Sequence, residues 1–492
     1  MKNINGKVAT VMIGALAAAD SFAQGDYFDE SQIKELEEVS IVAKRSEIRE
    51  MREAAMPVSV VSVKQLEGTT TNINDALART TGVTVRNTGG VGSASRISVR
   101  GLEGKRMGIY IDEAAMGQFS DYLSLNDVPT DMIERIEIYK GIVPYRFGGS
   151  ALGGAVNVVT KEYPPVYLDA SYEIASFNTH KVNSTFKRTN NKTGLQFGLG
   201  GAFVYSDNDY KMTLQNLNNR VVERNHDAYR KIMGGGSLKA TKWYFDEVKL
   251  ELIYMNNKKE IQGIDFDIRE AYSHGQAGIA AVTLKKDDFI ADGLDFDFDA
   301  SYSYGQNGLC DKAPYRYDWD GNRYNSVSAY GGEQGTYASD SDNRTKDLVS
   351  KLNLNYLLNK HNSFNLNLYG TRTRQNPKNE LMDLSFGYET NFPSKMSSFT
   401  TGFSYDLTLL NGKFMSATTI KHFFFSSHTK VLEHTFINSP VDIDTKKNYW
   451  GGSESLRYKF NKRLMAKASF SSEVRIPTSE ELVGNGYSVL PA

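Results

Sequence analysis

The sequence is poor in cysteine and tryptophan and has no excess of charge, and each shortage excludes a class of protein. Its 492 residues contain one cysteine and three tryptophans. Cys310 alone cannot form an intrachain disulfide and matches no metal-ligand spacing, so we predict an incidental thiol in a loop. Lys and Arg number 57 against 58 Asp and Glu, a net charge of −1, so no basic surface favours a nucleic acid partner.

Long apolar runs are lacking too. The mean hydropathy is −0.44. No segment approaches the roughly 20 apolar residues that a membrane helix needs, which excludes a polytopic helical membrane protein. What the chain does have is aromatic residues, 28 Tyr and 25 Phe. This composition favours strands whose aromatic rings lie on a pleated or interfacial surface.

Residues 1–23 are predicted to form a signal peptide. Lys2 and Lys7 make a basic start, and the apolar residues 8–19 that follow are too few to span a bilayer. The Ser-Phe-Ala sequence at 21–23 has the small-x-small pattern of a signal-peptide cleavage site. A buried amphipathic helix is the alternative interpretation. The signal predicts that the mature chain enters the periplasm.

The chain changes character at residues 133–161. This stretch begins as an alternating strand up to Lys140, passes through a cluster of glycines, and continues as an apolar strand from Ala155 to Thr160. Glycine takes positive φ without a Cβ clash, so the cluster predicts tight turns. No glycine-rich piece ends in Gly-Lys-Ser/Thr or opens a long helix, which excludes a nucleotide-binding loop. Before this stretch the pattern is mixed α/β, and after it the pattern is antiparallel hairpins.

These residues resemble the end of the plug domain of TonB-dependent outer-membrane receptors. The family signature is an Arg-Ile/Val-Glu-Ile/Val strand, a basic residue with Gly, an aromatic-Gly pair and a Gly-Gly-x-Ile/Val-Asn-Ile/Val strand. The chain departs from the family at Glu113 and Ile142, where Gly and Pro are usual. The resemblance covers Glu37 to about Lys161 and assigns residues 57–161 to the plug. It gives plug-motif roles to eight residues: Arg100, Gly101, Arg135, Glu137, Gly141, Gly148, Gly153 and Gly154.

The plug region alternates predicted strands with loop tips. The pattern predicts strands over 58–63, 83–86, 96–101 and 107–112, a helix over 73–79 and a short helix at Pro129. In plug domains the two tips, here 87–93 and 115–121, point outward and touch the ligand. The resemblance therefore proposes five ligand contacts: Arg86, Asn87, Gln118, Phe119 and Asp121. Solvated turn residues are the alternative for each of them.

Residues 24–56 are predicted to be a periplasmic N-terminal segment. Residues 37–43 are a short extended run with too few apolar side chains to pack alone, and such a run can add an edge strand to a partner sheet. The resemblance identifies it as the TonB box, through which the TonB energy-coupling protein pulls. An ordinary linker strand is the alternative. The box residues are Glu38, Val39, Ser40, Ile41, Val42 and Ala43.

Residues 162–492 are predicted to be part of an outer-membrane barrel. Phe296 and Phe298 alternate with Asp295, Asp297 and Asp299, so one face suits lipid and the other a watery lumen. Short and long links alternate as well, as in such barrels. The short links lie near 190–192, 241–245, 287–293, 358–362, 411–412 and 461–462, and the long ones at 209–229, 262–273, 308–344, 377–392 and 433–446. We expect an α+β plug followed by an antiparallel transmembrane β-barrel of about thirteen strands, ending near Ile476.

Family barrels have twenty-two strands. Residues 475–482 also resemble a segment that relatives carry well inside their barrels. We therefore expect the front part of a longer receptor, truncated at its C-terminus, because unpaired strand edges in hydrocarbon cost several kcal/mol per group. Expressed alone, such a chain is expected to aggregate or be degraded.

The resemblance implies an active transporter in the outer membrane of a Gram-negative bacterium. It would bind a scarce small-molecule nutrient, by analogy an iron chelate, haem or a corrinoid, and import it to the periplasm with energy from TonB. The alternatives are a non-functional truncated receptor and a passive or structural barrel protein. No catalytic constellation or cofactor is predicted. Calcium at Asp318, Asp320 and Asn322 lacks the closing glutamate of an EF-hand, so no metal site is predicted either.

Overall fold

The computed structural model describes residues 48–63, 73–87, 89–116, 125, 128–149, 151–432, 440–477 and 481. The chain divides into two compact units, Met1–Glu53 and Ala54–Ala492. In the first unit, residues 48–53 are described and are helical. Arg49 Nε lies 3.0 Å from Glu53 Oε1, one turn further along this helix.

The second unit begins with the plug region, which contains two small sheets. Its strands are β1 Val58–Ser62, β2 Val83–Asn87, β3 Ser95–Val99, β4 Leu102–Glu103, β5 Gly108–Ile111, β6 Ala114–Ala115, β7 Ile133–Lys140 and β8 Gly154–Thr160. One sheet has the order β1-β7-β8-β5-β6, and the other has the order β2-β3-β4. The pair β5–β8 is parallel and the others are antiparallel.

The plug core lies between the larger sheet and the helix α1, Ile73–Ala78. Ile73 and Leu77 pack with Ile136 and Ile138 of β7, and all four are at most 1% exposed. Burying this many aliphatic side chains stabilises the unit by about 1.5–3 kcal/mol each. No helix among the described residues is both long and apolar enough to cross a membrane.

The predicted plug elements occur in the structure, with two differences. The predicted strand over 96–101 ends at Val99, because Arg100 and Gly101 take positive φ (53° and 84°) in a turn to β4. The short helix expected at Pro129 is a 3-10 turn, Thr130–Met132, for which Pro129 is the N-cap. Both differences are local and leave β7 in its predicted place.

Long strands follow the plug region. Their bounds are β9 Val166–Ala175, β10 Thr179–Asn190, β11 Leu195–Ser206, β12 Tyr210–Leu214, β13 Arg220–Arg224, β14 Tyr229–Ala240, β15 Glu247–Glu260, β16 Tyr272–Lys286, β17 Leu294–Asp311, β18 Tyr315–Tyr317, β19 Arg323–Asn325, β20 Ser339–Asp340, β21 Asn343–Asn359, β22 Asn362–Asn376, β23 Ser394–Leu409, β24 Phe414–Leu432, β25 Pro440–Lys459 and β26 Met465–Ser472. A short helix, α2, spans Glu380–Phe386 between β22 and β23.

Thirteen of these strands form one antiparallel sheet, called here the wall sheet. Its order is β9-β10-β11-β14-β15-β16-β17-β21-β22-β23-β24-β25-β26, and β20 pairs with β17 at one end. β12 pairs with β13 and β18 with β19, as hairpins within long links. The prediction of about thirteen antiparallel strands after an α+β plug is confirmed.

The wall sheet has one apolar exposed face. On β15, Leu250, Leu252 and Tyr254 are 50–66% exposed, while Met255 on the other face is 1% exposed. The same alternation places Phe296 and Phe298 on the exposed face of β17 and Asp299 on the opposite face. The plug region contacts the face opposite the exposed apolar side chains.

Short and long links alternate along the wall sheet, as predicted, with two corrections. β25 begins at Pro440 and pairs with β24, so residues 440–446 are strand and not the predicted loop. Cys310 is buried in β17 and is not a loop thiol, since that strand continues to Asp311 and pairs with β20. The links at 207–228, 261–271, 312–342 and 377–393 mark what we call the long-loop end of the sheet.

Candidate functional site

Glu137 is the centre of a buried hydrogen-bond network in the plug motif. It is 1% exposed. Arg135 Nε donates to its Oε1 at 2.8 Å, and Tyr139 Oη and Asn157 Nδ2 donate to its Oε2 at 3.0 Å each. All three partners are donors, which suits a carboxylate, an acceptor-only group. Burial, and then the charge of Glu137, raises the pKa of the Tyr139 phenol well above its ordinary value. The network fixes β7 to β8.

The glycines of the motif allow close contacts. Gly154 has φ +111°, and a Cβ there would lie 2.0 Å from the carbonyl oxygen of Tyr139. Gly148 has φ +71° and lies against the ring of Tyr369, a residue of the wall sheet. Gly153 packs beside Leu102, where a Cβ would lie 2.7 Å from the Leu Cβ. A side chain would meet backbone at Gly154, the Tyr369 ring at Gly148 and the Leu102 side chain at Gly153, so the three positions favour glycine.

Arg100, Lys140 and Gly141 meet at the edge of the plug. Arg100 Nη1 donates to the carbonyl oxygen of Lys140 at 3.3 Å, and Lys140 Nζ donates to the carbonyl oxygen of Thr81 at 2.7 Å. Gly141 follows with φ +103°. Partial burial, and then the charge of Arg100, lowers the pKa of Lys140. These contacts hold the start of β2 and the end of β3 to the end of β7.

Near the short-link end, the plug is joined to the wall sheet by side chains after β7. Tyr145 Oη donates to Asp406 Oδ2 of β23 at 2.8 Å. Arg146 Nε lies 2.8 Å from Glu113 Oε1 within the plug. Lys351 of β21 donates to the carbonyl oxygen of Glu113 at 3.3 Å. It also lies 3.0 Å from Asp299 Oδ2, so the predicted lumen face of β17 carries an ion pair.

At the long-loop end, the tip of the plug meets the opposite part of the wall sheet. Asn208, just after β11, exchanges two hydrogen bonds of 2.9 Å with the backbone of Val91. Lys259 Nζ donates to the Val91 carbonyl oxygen at 3.2 Å and lies 3.2 Å from Asp227 Oδ1. The ring of Tyr229 covers Gly92. The plug therefore touches the wall sheet at both ends.

Two of the five proposed ligand contacts are described, and both are in β2. Arg86 lies opposite Arg96 in β3, and Glu103 is 4.0 and 3.8 Å from the two guanidinium groups. The Arg86 and Arg96 side chains are 65% and 56% exposed. Asn87 Oδ1 instead accepts from Ser95 Oγ at 2.9 Å, which holds the strand pair together.

The other predicted site residues lie outside the described residues. These are Gln118 and Phe119, Asp121, the TonB box at 38–43 and the signal peptide at 1–23. Their roles stay predictions. The structure joins the plug-motif residues of β7 and β8 to each other, whereas Arg86 lies on the other small sheet of the plug.

Two buried carboxylates tie the outer loops together, and sequence reasoning missed both. Glu333, 2% exposed, accepts from the backbone N–H groups of Arg269, Glu270 and Ala271 at 2.8–3.1 Å. Asp311 in turn accepts from the N–H of Glu333 at 2.6 Å. Charge-assisted bonds of this kind are about twice as strong as neutral ones. No sequence signal marks these acids, because their partners are backbone groups from another loop.

A tryptophan and an ion pair extend this joined set of loops. Trp319 Nε1 donates to the Ile264 carbonyl oxygen at 2.8 Å. Arg220 pairs with Asp320. The links 207–228, 261–271 and 312–342 are therefore connected to one another, which makes them a preorganised surface at the long-loop end.

The aspartates considered for calcium form a closed turn. Asp318 accepts from the N–H groups of Asp320 and Asn322 at 2.9 Å each and from Asn322 Nδ2 at 2.9 Å. The hydrogen bonds from Asn322 lower the pKa of Asp318. Across the part of the chain that the structure describes, no group of three or more His, Cys, Asp or Glu could hold a metal ion.

Comparison with known proteins relates the chain to one family. Residues 50–155 match the TonB-dependent Receptor Plug Domain. The vitamin B12 transporter BtuB of Vibrio vulnificus (strain CMCP6) is 26% identical over 147 residues, which are 30% of this chain and 24% of that protein. The solved structure of the copper transporter OprC has a TM-score of 0.65 at 13% identity, over 87% of this chain and 64% of that chain.

A second solved structure has a similar fold. The alcaligin outer-membrane receptor FauA of Bordetella pertussis has a TM-score of 0.61 at 15% identity, over 85% of this chain and 63% of that chain. The chain thus spans less than two thirds of the length of these relatives. At these identities the solved structures establish the fold, and the plug match establishes the domain that precedes the wall sheet. The chain is thus similar to the TonB-dependent receptors over their plug domain, at residues 50–155, and its antiparallel strands have the fold of the barrels in these solved structures.

Proposed function

We propose that the chain acts in TonB-dependent import across the outer membrane. The cargo class is a metal complex, an iron chelate, haem or a corrinoid. The observation that carries this proposal is the plug's attachment to the inner face of the wall sheet, by Val91 at the long-loop end and by Tyr145 near the short-link end. A folded stopper held at both ends leaves passage dependent on plug movement, which distinguishes an energised transporter from an open pore.

Cargo capture is assigned to the long-loop end. The loops joined through Glu333 and Trp319 form an ordered surface there, and preorganised loops bind with less loss of conformational entropy. The exposed pair Arg86 and Arg96 is close to the plug tip and favours an anionic cargo, since two guanidinium groups share one carboxylate. The relatives named for vitamin B12, alcaligin and copper support a metal-containing cargo.

Energy is assigned to the predicted TonB box, residues 38–43. The outer membrane has no ATP, so work must come through a protein contact, and an extended segment can pair with a sheet of the TonB protein. The proposed partners are therefore TonB in the periplasm, a small-molecule nutrient and outer-membrane lipid. The family consists of transporters and receptors, and we propose no enzymatic activity.

Deleting residues 37–43 tests the proposal. Cells that express the chain together with any continuation of its reading frame are given radiolabelled cyanocobalamin, haemin and ferric citrate, and surface binding and uptake are measured separately. The deletion should abolish uptake and retain binding, because it removes only the energy contact. An equal-length deletion, residues 26–32, is the control and should retain both. Uptake that survives loss of residues 37–43, or loss of TonB, would contradict energised import and favour passive passage.

A further inference from the structure

We propose that Asn208 is a positioning residue that locks the plug tip, residues 89–92, to the wall sheet and couples it to outer loop 207–228. The inference rests on the proposed function for its consequence in transport, but its structural part can be tested without any cargo. It assigns a specific contact through which the outer loop and the plug influence each other.

The side-chain amide of Asn208 has all of its hydrogen-bonding positions filled. Its Nδ2 donates to the carbonyl oxygens of Val91 at 2.9 Å and Asp227 at 3.0 Å. Its Oδ1 accepts from the Val91 N–H at 2.9 Å and from Ser206 Oγ at 3.1 Å. Two acceptors on one side and two donors on the other fix the orientation of the amide. Asn208 is 1% exposed and pairs with Val91 as a neighbouring strand would.

The plug tip is shaped to fit this partner. A Cβ on Gly90 would lie 2.5 Å from Asn208 Oδ1, and a Cβ on Gly92 would lie 2.2 Å from the Tyr229 ring. Gly92 also has φ +77°. Side chains at either position would force the tip away from the wall sheet, so the glycines permit the contact.

A buried charge cluster supports the same contact. Asp227, 2% exposed, lies 3.0 Å from Arg224 Nε and 3.2 Å from Lys259 Nζ. Lys259 also donates to the Val91 carbonyl oxygen at 3.2 Å. That oxygen therefore accepts from both Asn208 and Lys259. Buried charges need such pairing, so the cluster holds its members in one arrangement.

The position of these residues in the chain makes the contact a coupling point. Asn208 lies two residues after β11 and Asp227 two residues before β14, so they are the two bases of loop 207–228. The bond between Asn208 Nδ2 and the Asp227 carbonyl oxygen closes the loop. Any displacement of the loop bases must move the groups that hold Val91. Capture of cargo by this loop would thus alter the hold on the plug tip, and release of the tip would loosen the loop.

Amide exchange of the full chain in lipid, followed by mass spectrometry, tests the lock. Asn208→Asp is nearly isosteric but turns a carboxylate oxygen toward two carbonyl oxygens. Exchange of the peptide that contains Val91 should become about tenfold faster, the ratio for about 1.4 kcal/mol of lost hydrogen bonding. Asn365→Asp is the control. Asn365 is also buried, at 2% exposed, but its Nδ2 donates at 2.8 Å to Asn353 Oδ1 within the wall sheet and not to the plug. Equal exchange in the two variants would overturn the lock.

A disulfide tests the role in transport. A Cβ on Gly90 would lie 3.4 Å from the Asn208 Cβ, close to the roughly 3.5–4.5 Å of a disulfide. The pair Gly90→Cys with Asn208→Cys is made in a Cys310→Ser background, with each single variant as a control. Oxidation should stop uptake of whichever of cyanocobalamin, haemin or ferric citrate the Cys310→Ser parent imports, retain surface binding, and be reversed by reduction.

The outcomes separate the two proposals. If uptake continues with the crosslink formed, the contact between residue 208 and the plug tip need not open during transport, and its proposed role in transport is wrong. If the parent imports none of the three probes, the proposed cargo classes fail, while the exchange experiment still decides whether Asn208 holds the tip. Faster exchange of the Val91 peptide on cargo binding in the parent supports the coupling, and unchanged exchange contradicts it.

Discussion

Three side chains donate hydrogen bonds to the carboxylate of Glu137. An acceptor in place of any of these donors would leave a carboxylate oxygen facing another acceptor. Asn157 donates to Glu137 through Nδ2, and its Oδ1 already accepts from the Glu113 N–H at 3.1 Å. Arg135 is 13% exposed and depends on Glu137 for its close ion pair of 2.8 Å. A buried ion pair of this kind costs more to break than it contributes when formed.

Replacing Glu137 by Gln should therefore destabilise the plug strongly. The amide directs N–H groups toward donors and removes the charge beside Arg135, so we expect a loss of about 3 kcal/mol. The free energy of local opening of β7 from amide exchange measures it. Glu103→Gln is the control, because Glu103 is 42% exposed and 3.8–4.0 Å from its arginines, and should cost about 0–1 kcal/mol. Similar losses in both variants would contradict the role of burial.

Three plug tyrosines predict sensitivity to alkaline pH. Burial raises the pKa of Tyr110, Tyr139 and Tyr145 above their ordinary value, and neighbouring carboxylates such as Glu473, Glu137 and Asp406 add to it. The unfolded chain ionises these phenols near pH 10 and the folded chain does not. Their contribution to stability is therefore complete below about pH 10 and is lost as pH rises toward the folded pKa values.

Tyr110→Phe tests this dependence on pH. Above about pH 10 the free energy of unfolding falls as pH rises. The fall should be less steep in the variant, by at most about 1.4 kcal/mol per pH unit, because one phenol is removed. Urea unfolding at about pH 9 and about pH 11, for the wild type and the variant, gives the two slopes. Equal slopes would show that Tyr110 ionises alike in both states.

Residue roles were only partly predictable from the sequence. Arg135, Glu137 and Gly154 could be singled out by resemblance to the plug motif, which is contiguous in the sequence, and the roles assigned to them stay predictions. Asn208 could not, because its partner Val91 lies 117 residues away along the chain. A single asparagine in a loop carries no signal for a backbone contact with the plug region.

At the scale of elements, the pairing of β7 with β8 depends on the glycine that begins β8. Gly154 begins β8 and opposes Lys140 in the register, beside the carbonyl oxygen of Tyr139. The pairing of the two central plug strands therefore has no room for a methyl group at this position.

Gly154→Ala should disrupt the pairing of β7 with β8. The added Cβ meets backbone at 2.0 Å, where no flexible side chain can move aside, so we expect a loss above about 4 kcal/mol. Gly82→Ala is the control, with φ +80° and nothing within 4 Å of the Cβ, and should cost only the backbone strain, about 1–3 kcal/mol. Protection of the β7 amides measures both. A smaller loss for Gly154→Ala than for Gly82→Ala would contradict the clash.

The strands were more predictable than their ends. Alternation identified the wall strands, over more than ten residues in the clearest of them, 294–304, because a period of two is a property of local sequence. The start of β25 was missed since residues 440–446 begin with a proline and four of the seven are polar, yet they pair with β24 residues as far as Leu432. Pairing with a long neighbour extends a strand beyond what its own residues favour.

At the scale of the whole molecule, hydrogen bonds between segments far apart in the sequence join the plug to the wall sheet. Tyr145 and Asp406 provide one of them, 261 residues apart along the chain. Asp406 Oδ1 has no hydrogen-bond partner among the described residues, so the phenol is an important donor for this carboxylate. Contacts between distant segments of this kind follow from the fold and could not be predicted from local pattern.

Tyr145→Phe should weaken the seating of the plug. Loss of a bond to a charged acceptor costs about 1.5–3 kcal/mol, and a cycle with Asp406→Asn isolates the pairwise part. Amide exchange of the 3-10 turn at Tyr145–Phe147 measures it. Tyr405→Phe is the control, because Tyr405 donates to Asn362 within the wall sheet at 2.6 Å. A coupling energy near zero would show that the hydrogen bond between Tyr145 and Asp406 does not help to hold the plug to the wall sheet.

The three tryptophans make the loop surface visible to spectroscopy. Trp243, in the short link after β14, and Trp450, in β25, are 63% and 70% exposed, whereas Trp319 bridges two outer loops through its indole N–H. None of the three is in the plug, so its intrinsic emission comes from tyrosine alone. In a chain with Trp243 and Trp450 replaced by Phe, a change in indole fluorescence on adding cargo reports rearrangement of the outer surface, undisturbed by the stopper beneath it.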